Sequence, residues 1–417
     1  MTRLDTLRVV GSPETNKVMA GELRRLATRA LGRRLTEPRK VGTGTLLYPF
    51  DPELADLAVR YQRTATRVLW DLYGSEAPRL EPLYAEITAD VAADDRGWLW
   101  DGATISVEVR NVESFAAGER QIVGTIKNAI IDGALARGLR SEVDAEHADV
   151  SIMVRGSPAG PGRPAAGAAT GAAPAPEGLT VSVDLAGASL SQRGWRVDHG
   201  VAPLREHLAA VLLMLGRWDV RREILLDPTC GAGTIPIEAA LMGRAAPLWQ
   251  EPRRPACQRL PAFHDAAGDR GPLFADARPV VIGNDQDLAA LIMAKQNATA
   301  AGLSVAQGPV WRRGDFAALR PRDIADLAVD VAGPDAPQTG LILGNPPYGE
   351  RMDEIDARLI YGELGDMCRR FRGWRAAFIV ANREMEPIFG NAVGAPPRLK
   401  KPLSNGPLRG YFLMWEL

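Results

Sequence analysis

Sulfur and imidazole are scarce in this chain: 417 residues contain three cysteines and four histidines. Cys230, Cys257 and Cys368 lie far apart with no paired spacing, which argues against a disulfide framework and against a zinc site, so no metal is expected. Long apolar runs are also missing. None reaches membrane-span length, and the N-terminal residues carry no apolar core of signal-peptide size, so a cytoplasmic protein without a membrane partner is expected. Neither sign of charge is in excess: 50 Lys plus Arg against 51 Asp plus Glu leave a net charge of −1. Overall charge therefore does not attract nucleic acid, and any basic surface must be local. The positive charge is nearly all arginine, which suits bidentate phosphate contacts and base stacking. The length allows two or three domains, and nothing in the sequence indicates an oligomeric state.

Residues 1–60 read as a small α+β unit. Leu7 to Val10 and Thr45 to Tyr48 have strand character, and Val18, Leu23, Leu26, Ala27 and Ala30 recur at helical spacing before a Gly32 cap. Asp51-Pro52 opens a second helix, expected to run through Tyr61 to Leu69 with Arg60, Arg63 and Arg67 on one solvated face. From 61 to 200 the pattern gives a strand at Thr104–Val109 and a helix from Gln121 to Ala136 with Lys127 off its apolar stripe. Strands at Val150–Val154 and Leu179–Leu185 follow. Ser157 to Gly178 is almost wholly Ala, Gly and Pro and reads as a disordered excursion within a hairpin.

Residues 201–417 read as an α/β half. An amphipathic helix runs from Ala202 to Gly216, with His207 expected to be partly buried. Ile224-Leu225-Leu226 is a buried strand that meets Asp227-Pro228-Thr229-Cys230-Gly231-Ala232-Gly233-Thr234, and a helix follows. Strand, Gly-rich turn and helix make the first βα unit of a doubly wound sheet, whose ligands sit at the strands' carboxyl ends. A dinucleotide fingerprint would need glycine at Pro236, and a Walker loop would need a lysine. The next strand, Pro279–Gly283, delivers Asp285, with Asp287 as the fallback acid. Arg313-Gly314-Asp315-Phe316 follows a third strand. The fourth, Leu341–Leu343, stops at Gly344 before Asn345-Pro346-Pro347-Tyr348. The prolines fix φ and hold a stiff corner that neither pairs nor coils. The Asn345 amide oxygen and the Pro346 carbonyl can accept both N–H bonds of an exocyclic amine, and Tyr348 can stack on the base. A helix at Tyr361–Phe371, a strand at Ala376–Val380 and a closing hairpin over Lys400–Leu417 with its turn at Asn405-Gly406 complete the half. The stretch between Gly243 and Arg278, with Trp249, Arg253, Arg254 and Phe263, either covers the substrate side or packs over a sheet edge.

Three resemblances follow from these residues. Arg120 to Gly138, Arg140 to Asp144, the two strands and Asp184 to Leu190 with Arg193-Gly194-Trp195-Arg196 resemble the THUMP domain, an RNA-binding module often preceded by a ferredoxin-like unit. Asp-Pro-x-Cys-Gly-x-Gly-Thr resembles motif I of class I S-adenosylmethionine (SAM) methyltransferases. Asn-Pro-Pro-Tyr after it resembles amino methyltransferases of adenine N6 or guanine N2, and the extended form through Gly349, Glu350, Arg351 and Met352 resembles THUMP-class guanine-N2 methyltransferases, nearest the large-subunit (23S) rRNA type. The resemblance implies a Rossmann-like, seven-stranded class I domain behind an α+β ferredoxin-like/THUMP region. It implies SAM as cofactor at Asp227, Pro228, Cys230, Gly231, Gly233, Thr234 and Asn345, with Asp285 on the ribose and Asp315 on the adenine. Asn345, Pro346 and Tyr348 would be catalytic, and Lys127 and Arg351 would contact RNA. Three alternatives stay open: a tRNA enzyme of the same class, a DNA adenine-N6 methyltransferase, and a non-catalytic SAM- and RNA-binding assembly factor.

Overall fold

A computed structural model describes residues 2–77, 79–113, 115, 117–156, 178–197, 204–249, 254–266, 271–346, 354–405 and 408–417. The Ala/Gly/Pro stretch 157–177 falls outside them, as do Pro347, Tyr348, Arg351, Arg253 and Gly406.

The first half contains β1 (Thr2–Gly11), α1 (Asn16–Leu31), β2 (Arg39–Lys40), β3 (Thr45–Pro49), α2 (Pro52–Tyr61) and β4 (Ala65–Ser75). It continues with α3 (Leu80–Ala92), β5 (Thr104–Arg110), α4 (Glu119–Ala136), β6 (Glu142–Val143), β7 (Val150–Gly156) and β8 (Leu179–Asp184). One sheet runs in the order β2-β3-β1-β4-β8-β7-β5-β6. It continues across the expected boundary at residue 60, because β4 pairs antiparallel with both β1 and β8. α1 buries Met19, Leu23 and Ala27 and stops where Gly32 turns left-handed at φ 65°. α2 starts where the Asp51 side chain accepts the Leu54 N–H at 2.9 Å.

The helix expected to reach Leu69 ends at Tyr61. Gln62 is already extended, and Val68, Trp70 and Leu72 alternate into the core as a strand. The three arginines at helical spacing are not a solvated face. Arg60 pairs with Asp56 at 2.7 Å, Arg63 is buried, and Arg67 of β4 pairs with Asp184 of β8. Strand alternation sorts the sheet's two faces. Val9, Val68, Trp70, Val107, Ile152 and Val181 enter the core with α3 and α4, while Arg8, Arg67, Arg110 and Arg155 share the opposite face.

The second half runs α5 (Glu206–Leu215), β9 (Ile224–Asp227), α6 (Thr234–Gly243), β10 (Val281–Asp285), α7 (Leu288–Ala300), β11 (Val310–Arg313) and α8 (Pro321–Ala332). It then runs β12 (Gly340–Gly344), α9 (Glu354–Cys368), β13 (Arg375–Val380), α10 (Met385–Val393), β14 (Leu399–Asn405) and β15 (Leu408–Glu416). The sheet order is β11-β10-β9-β12-β13-β15-β14, parallel except for β15, which lies antiparallel to β13 and β14. This is the seven-stranded class I methyltransferase arrangement with its closing hairpin. The central stretches of the inner parallel strands, Ile224–Leu226, Leu341–Leu343 and Ala376–Val380, are apolar because both faces are covered, whereas the edge strand β11 reads Val-Trp-Arg-Arg. Ile224, Leu226 and Ile342 enter one core, and Leu225, Leu341 and Leu343 the other. Among the described residues no helix is long and apolar enough to cross a membrane.

The halves are tied together at several places, three of them in the interior. The insertion after α6 packs on the first half: Leu248 N–H donates to the Arg60 carbonyl at 2.6 Å, Ala262 N–H to Gly97 at 3.0 Å, and Phe263 joins the first half's core beside Phe50. His207 is fully buried, against the expectation of partial burial, and its Nε2 lies 2.8 Å from Ser12 Oγ. Burial pushes its pKa down to about 3, so the ring is neutral at physiological pH. The third tie is Glu238 of α6, fully buried between two arginines of the first half: Arg63 Nη1 at 3.0 Å and Arg193 Nε at 3.2 Å. Removing one member of such a group strands buried charge. Glu238→Ala should lower unfolding stability by about 3–5 kcal/mol, read by urea titration; a loss below about 1 kcal/mol would show that the arginines find water instead.

Candidate active site

The strand order reverses between β9 and β12, and that switch point opens a crevice at their carboxyl ends. On one side is the turn from β9 into α6. Gly231 and Gly233 adopt φ of 52° and 84°, a region that favours glycine. A Cβ on Gly233 would meet the Trp311 ring at 2.6 Å, whereas one on Gly231 would meet nothing within 4 Å. Gly233 thus serves packing, and Gly231 presents bare backbone to open space. The turn is held from β10: Gly231 N–H donates to Asp285 Oδ2 at 2.8 Å and Cys230 N–H to the Asn284 carbonyl at 2.9 Å. The buried Asn284 amide donates to the carbonyls of Pro228 and Gly314 at 3.0 and 2.9 Å, and its oxygen accepts from Arg312 at 2.7 Å. Asn297 of α7 donates to the Ala232 carbonyl at 3.1 Å.

On the other side, β12 runs directly into Asn345. Its Oδ1 is buried with no hydrogen-bond partner among the described residues, as is Thr229 Oγ1. Asn345, Asp227, Thr229, Cys230, Gly231 and Thr234 line one cavity of about 320 Å³. Asp227 is buried and accepts the Thr229 N–H at 3.2 Å. Burial, with the nearby Asp285 charge, raises its carboxyl well above the ordinary value. Burial likewise raises the Cys230 thiol, so it stays protonated and is no nucleophile.

The remaining expected residues are placed less directly. Asp285 holds the glycine turn and accepts the Asp287 N–H at 3.0 Å, while Asp287 caps α7 and reaches the cavity wall. Asp315 is exposed and caps a single turn over Phe316–Ala318, away from the cavity lining. Pro346 is buried at the corner. Lys127 is half-buried on α4, and no residue of α4 lines either cavity described here.

Sequence reading missed a second cavity of about 830 Å³ on the arginine face of the first sheet, lined by Arg67, Arg110, Arg155 and Arg205. Among the described residues Arg155 has no carboxylate partner; burial and the neighbouring Arg8, Arg110 and Arg67 lower its pKa, against the pull of Asp71. Such crowding of like charge favours a bound anion. Arg196 and Leu204 line both cavities, so the cleft and the switch-point pocket adjoin. The signal for the cleft was one arginine per strand at the period-two positions opposite the core.

Comparison with known proteins bears on the same stretch. Residues 193–410 match the family described as UPF0020, RMKL-like methyltransferase domain. The ribosomal RNA large subunit methyltransferase K/L of Syntrophotalea carbinolica is 31% identical over 345 residues, covering 79% of this chain and 44% of the relative. That of Chromohalobacter salexigens is 31% identical, covering 85% and 46%. The chain thus spans about half the length of the curated relatives it matches. In fold, it superposes on a protein of Listeria monocytogenes described as a predicted N6-adenine-specific DNA methylase, with a TM-score of 0.74, 24% identity and coverage of 99% and 96%. The matched stretch starts at the arginine that braces α6, runs through both strand ends of the crevice into β15, and takes in more than half of the sequence: the chain belongs to the RMKL-like methyltransferase family.

Proposed function

We propose that this chain transfers a methyl group from SAM to the exocyclic N2 amine of a guanosine in large-subunit ribosomal RNA. The observation that carries the reading is Asn345 Oδ1, a buried acceptor without a donor among the described residues, at the switch-point end of β12. An unpaired buried acceptor is costly, and an incoming N–H satisfies it. Family membership supports methyl transfer, and the names of the curated relatives support rRNA as the substrate.

The residues present fit the donor. The cavity lies within the range of about 300–1,000 Å³ common for small-molecule sites, and the open side of Gly231 lets a ligand meet backbone. Asp227, the turn with Pro228, Cys230 and Gly231, and Thr234 would hold it, with Gly233 keeping that turn packed on Trp311. Asp285 keeps lone pairs for ribose hydroxyls beyond the two bonds it already accepts. When bound, the donor supplies a methyl already activated on a sulfonium. Asn345 Oδ1 and the Pro346 carbonyl accept the amine's two N–H bonds, which favours a tetrahedral nitrogen and aims its lone pair at the methyl. Alignment then does much of the work. No general base is needed before transfer, and the proton leaves to water afterwards. The arginine cleft suits the phosphates of the strand that delivers the base, so RNA is the proposed partner and the cytoplasm the proposed location.

Three measurements test this. Labelled SAM is offered with undermodified rRNA, undermodified tRNA and duplex DNA, and the nucleosides are identified after digestion. Label in N2-methylguanosine from rRNA is expected; label from tRNA would move the substrate, and label in N6-methyladenine would overturn the base assignment. Asn345→Ala should cut kcat about 10²–10³-fold, the scale of removing one transition-state hydrogen bond, while SAM binding persists; normal turnover would end the catalytic assignment. Arg110→Gln with Arg155→Gln should weaken RNA binding and flatten the slope of log K against log salt by about 1–2; an unchanged slope would put the phosphates elsewhere.

A further inference from the structure

Arg196 lies in the segment that leaves the first half of the chain, ahead of α5, and its side chain is 7% exposed. A guanidinium carries five N–H donors. Three are used: Nε donates to Glu206 Oε1 at 3.2 Å, and Nη2 donates to the Leu204 carbonyl at 3.0 Å and to Thr234 Oγ1 at 3.1 Å. Nη1, with the other two, is buried and has no partner among the described residues. The bond to Thr234 sets the guanidinium at the first turn of α6. That ten-residue helix has no side-chain cap and no acidic residue in its first turn. A helix N-terminus carries partial positive charge, so a cation held there is out of place unless an anion joins it. Glu206 balances the arginine itself and, among the described residues, leaves Nη1 and the helix end without a partner. Arg196 also lines the cavity that contains Asp227 and Asn345.

We infer that Arg196 binds the α-carboxylate of the methyl donor's amino-acid tail, so that the segment joining the two halves contributes a residue to the cofactor pocket. This rests on the SAM reading of the pocket. Asp227, buried with a single backbone N–H on Oδ1, is the matching acceptor for the tail's ammonium. The tail is a zwitterion: its carboxylate would meet the guanidinium, and its ammonium would favour the charged form of the Asp227 carboxyl that burial disfavours in the empty pocket. The carboxylate takes no part in the transfer, so the contact strengthens ground-state and transition-state binding alike and acts on donor affinity rather than on kcat. The same contact explains why two cavities share Arg196: on one side it faces the donor, and its neighbour Arg205 faces the cleft.

The test uses calorimetric binding of S-adenosylhomocysteine, its decarboxylated analogue and 5′-methylthioadenosine, which lacks the amino-acid tail. In the wild-type chain the decarboxylated analogue should bind about 10–100-fold more weakly than S-adenosylhomocysteine, the scale of one charge-assisted contact. Equal affinity would overturn the inference without any variant. Arg196→Met should weaken S-adenosylhomocysteine by a similar factor and leave methylthioadenosine unchanged, with Arg196→Lys between them and melting temperatures recorded for both. Equal loss for both ligands would mean that the arginine only shapes the pocket. A loss of RNA binding with S-adenosylhomocysteine unaffected would assign Nη1 to a phosphate. Failure of the wild-type chain to bind any of the three would instead sink the SAM reading itself.

Discussion

A single buried carboxylate sets the geometry of this molecule. Glu238 sits one turn into α6, directly behind the glycine turn, and takes guanidinium groups from Arg63 and Arg193 of the other half. Arg193 also donates to the Arg63 carbonyl at 2.5 Å, so the three residues close on one another. Buried ion pairs contribute little net stability against an apolar replacement, but they tolerate few alternative arrangements. Their value here is registration. The helix that begins beside the switch-point pocket is pinned to the strand that begins the arginine cleft, since β4 starts two residues after Arg63. Three residues beyond Arg193, Arg196 belongs to both cavities. Insertion residues such as Phe263 reinforce the joint by entering the first half's core.

That joint allows the pocket itself to be left incomplete. Asn345 Oδ1, Thr229 Oγ1 and Arg196 Nη1 are buried polar atoms without partners among the described residues, and all three residues line one cavity. Each such atom costs about 1–3 kcal/mol, a burden that the layered cores on either side of the second sheet can carry. A ligand that supplies a donor to Asn345 and an anion to Arg196 removes two of those costs, and polar groups already in place for a ligand are what preorganisation means for binding.

The second half was largely legible in the sequence because its physics is local. Parallel strands buried on both faces are continuous apolar runs, and a turn that needs positive φ announces itself by glycine, as at Gly231 and Gly233. The first half hid more. The start of β4, as far as Leu69, was taken for the end of a helix along which Arg60, Arg63 and Arg67 fall at helical spacing, while the competing alternation of Val68, Trp70 and Leu72 decided the fold. α3 lacks a side-chain cap and a terminal glycine and went unseen, as did α8, although Pro321 opens it and Gly333 ends it. The arginine cleft was invisible for a different reason. Arg67, Arg110 and Arg155 come from three strands far apart in sequence, and only the sheet order sets them side by side. Arg196 was visible as a motif residue but not as a ligand, since its unused donors appear only when its partners are counted.

The separation of tasks between the cavities bears on how a target is chosen. Guanidinium groups on the open sheet face suit phosphates, which carry no base identity. The Asn345 corner suits an exocyclic amine, which both guanine and adenine present. Neither feature alone selects one nucleotide among thousands. In the proposed function, selection must come from the fixed offset between them: an RNA whose backbone fills the cleft presents only one flipped base to the corner. The rigidity of the Arg63–Glu238–Arg193 joint is then part of substrate choice, because a hinge at that place would let neighbouring bases reach Asn345. Recognition by shape therefore requires the two halves to act as one body, and the buried charge between them is where that requirement is met.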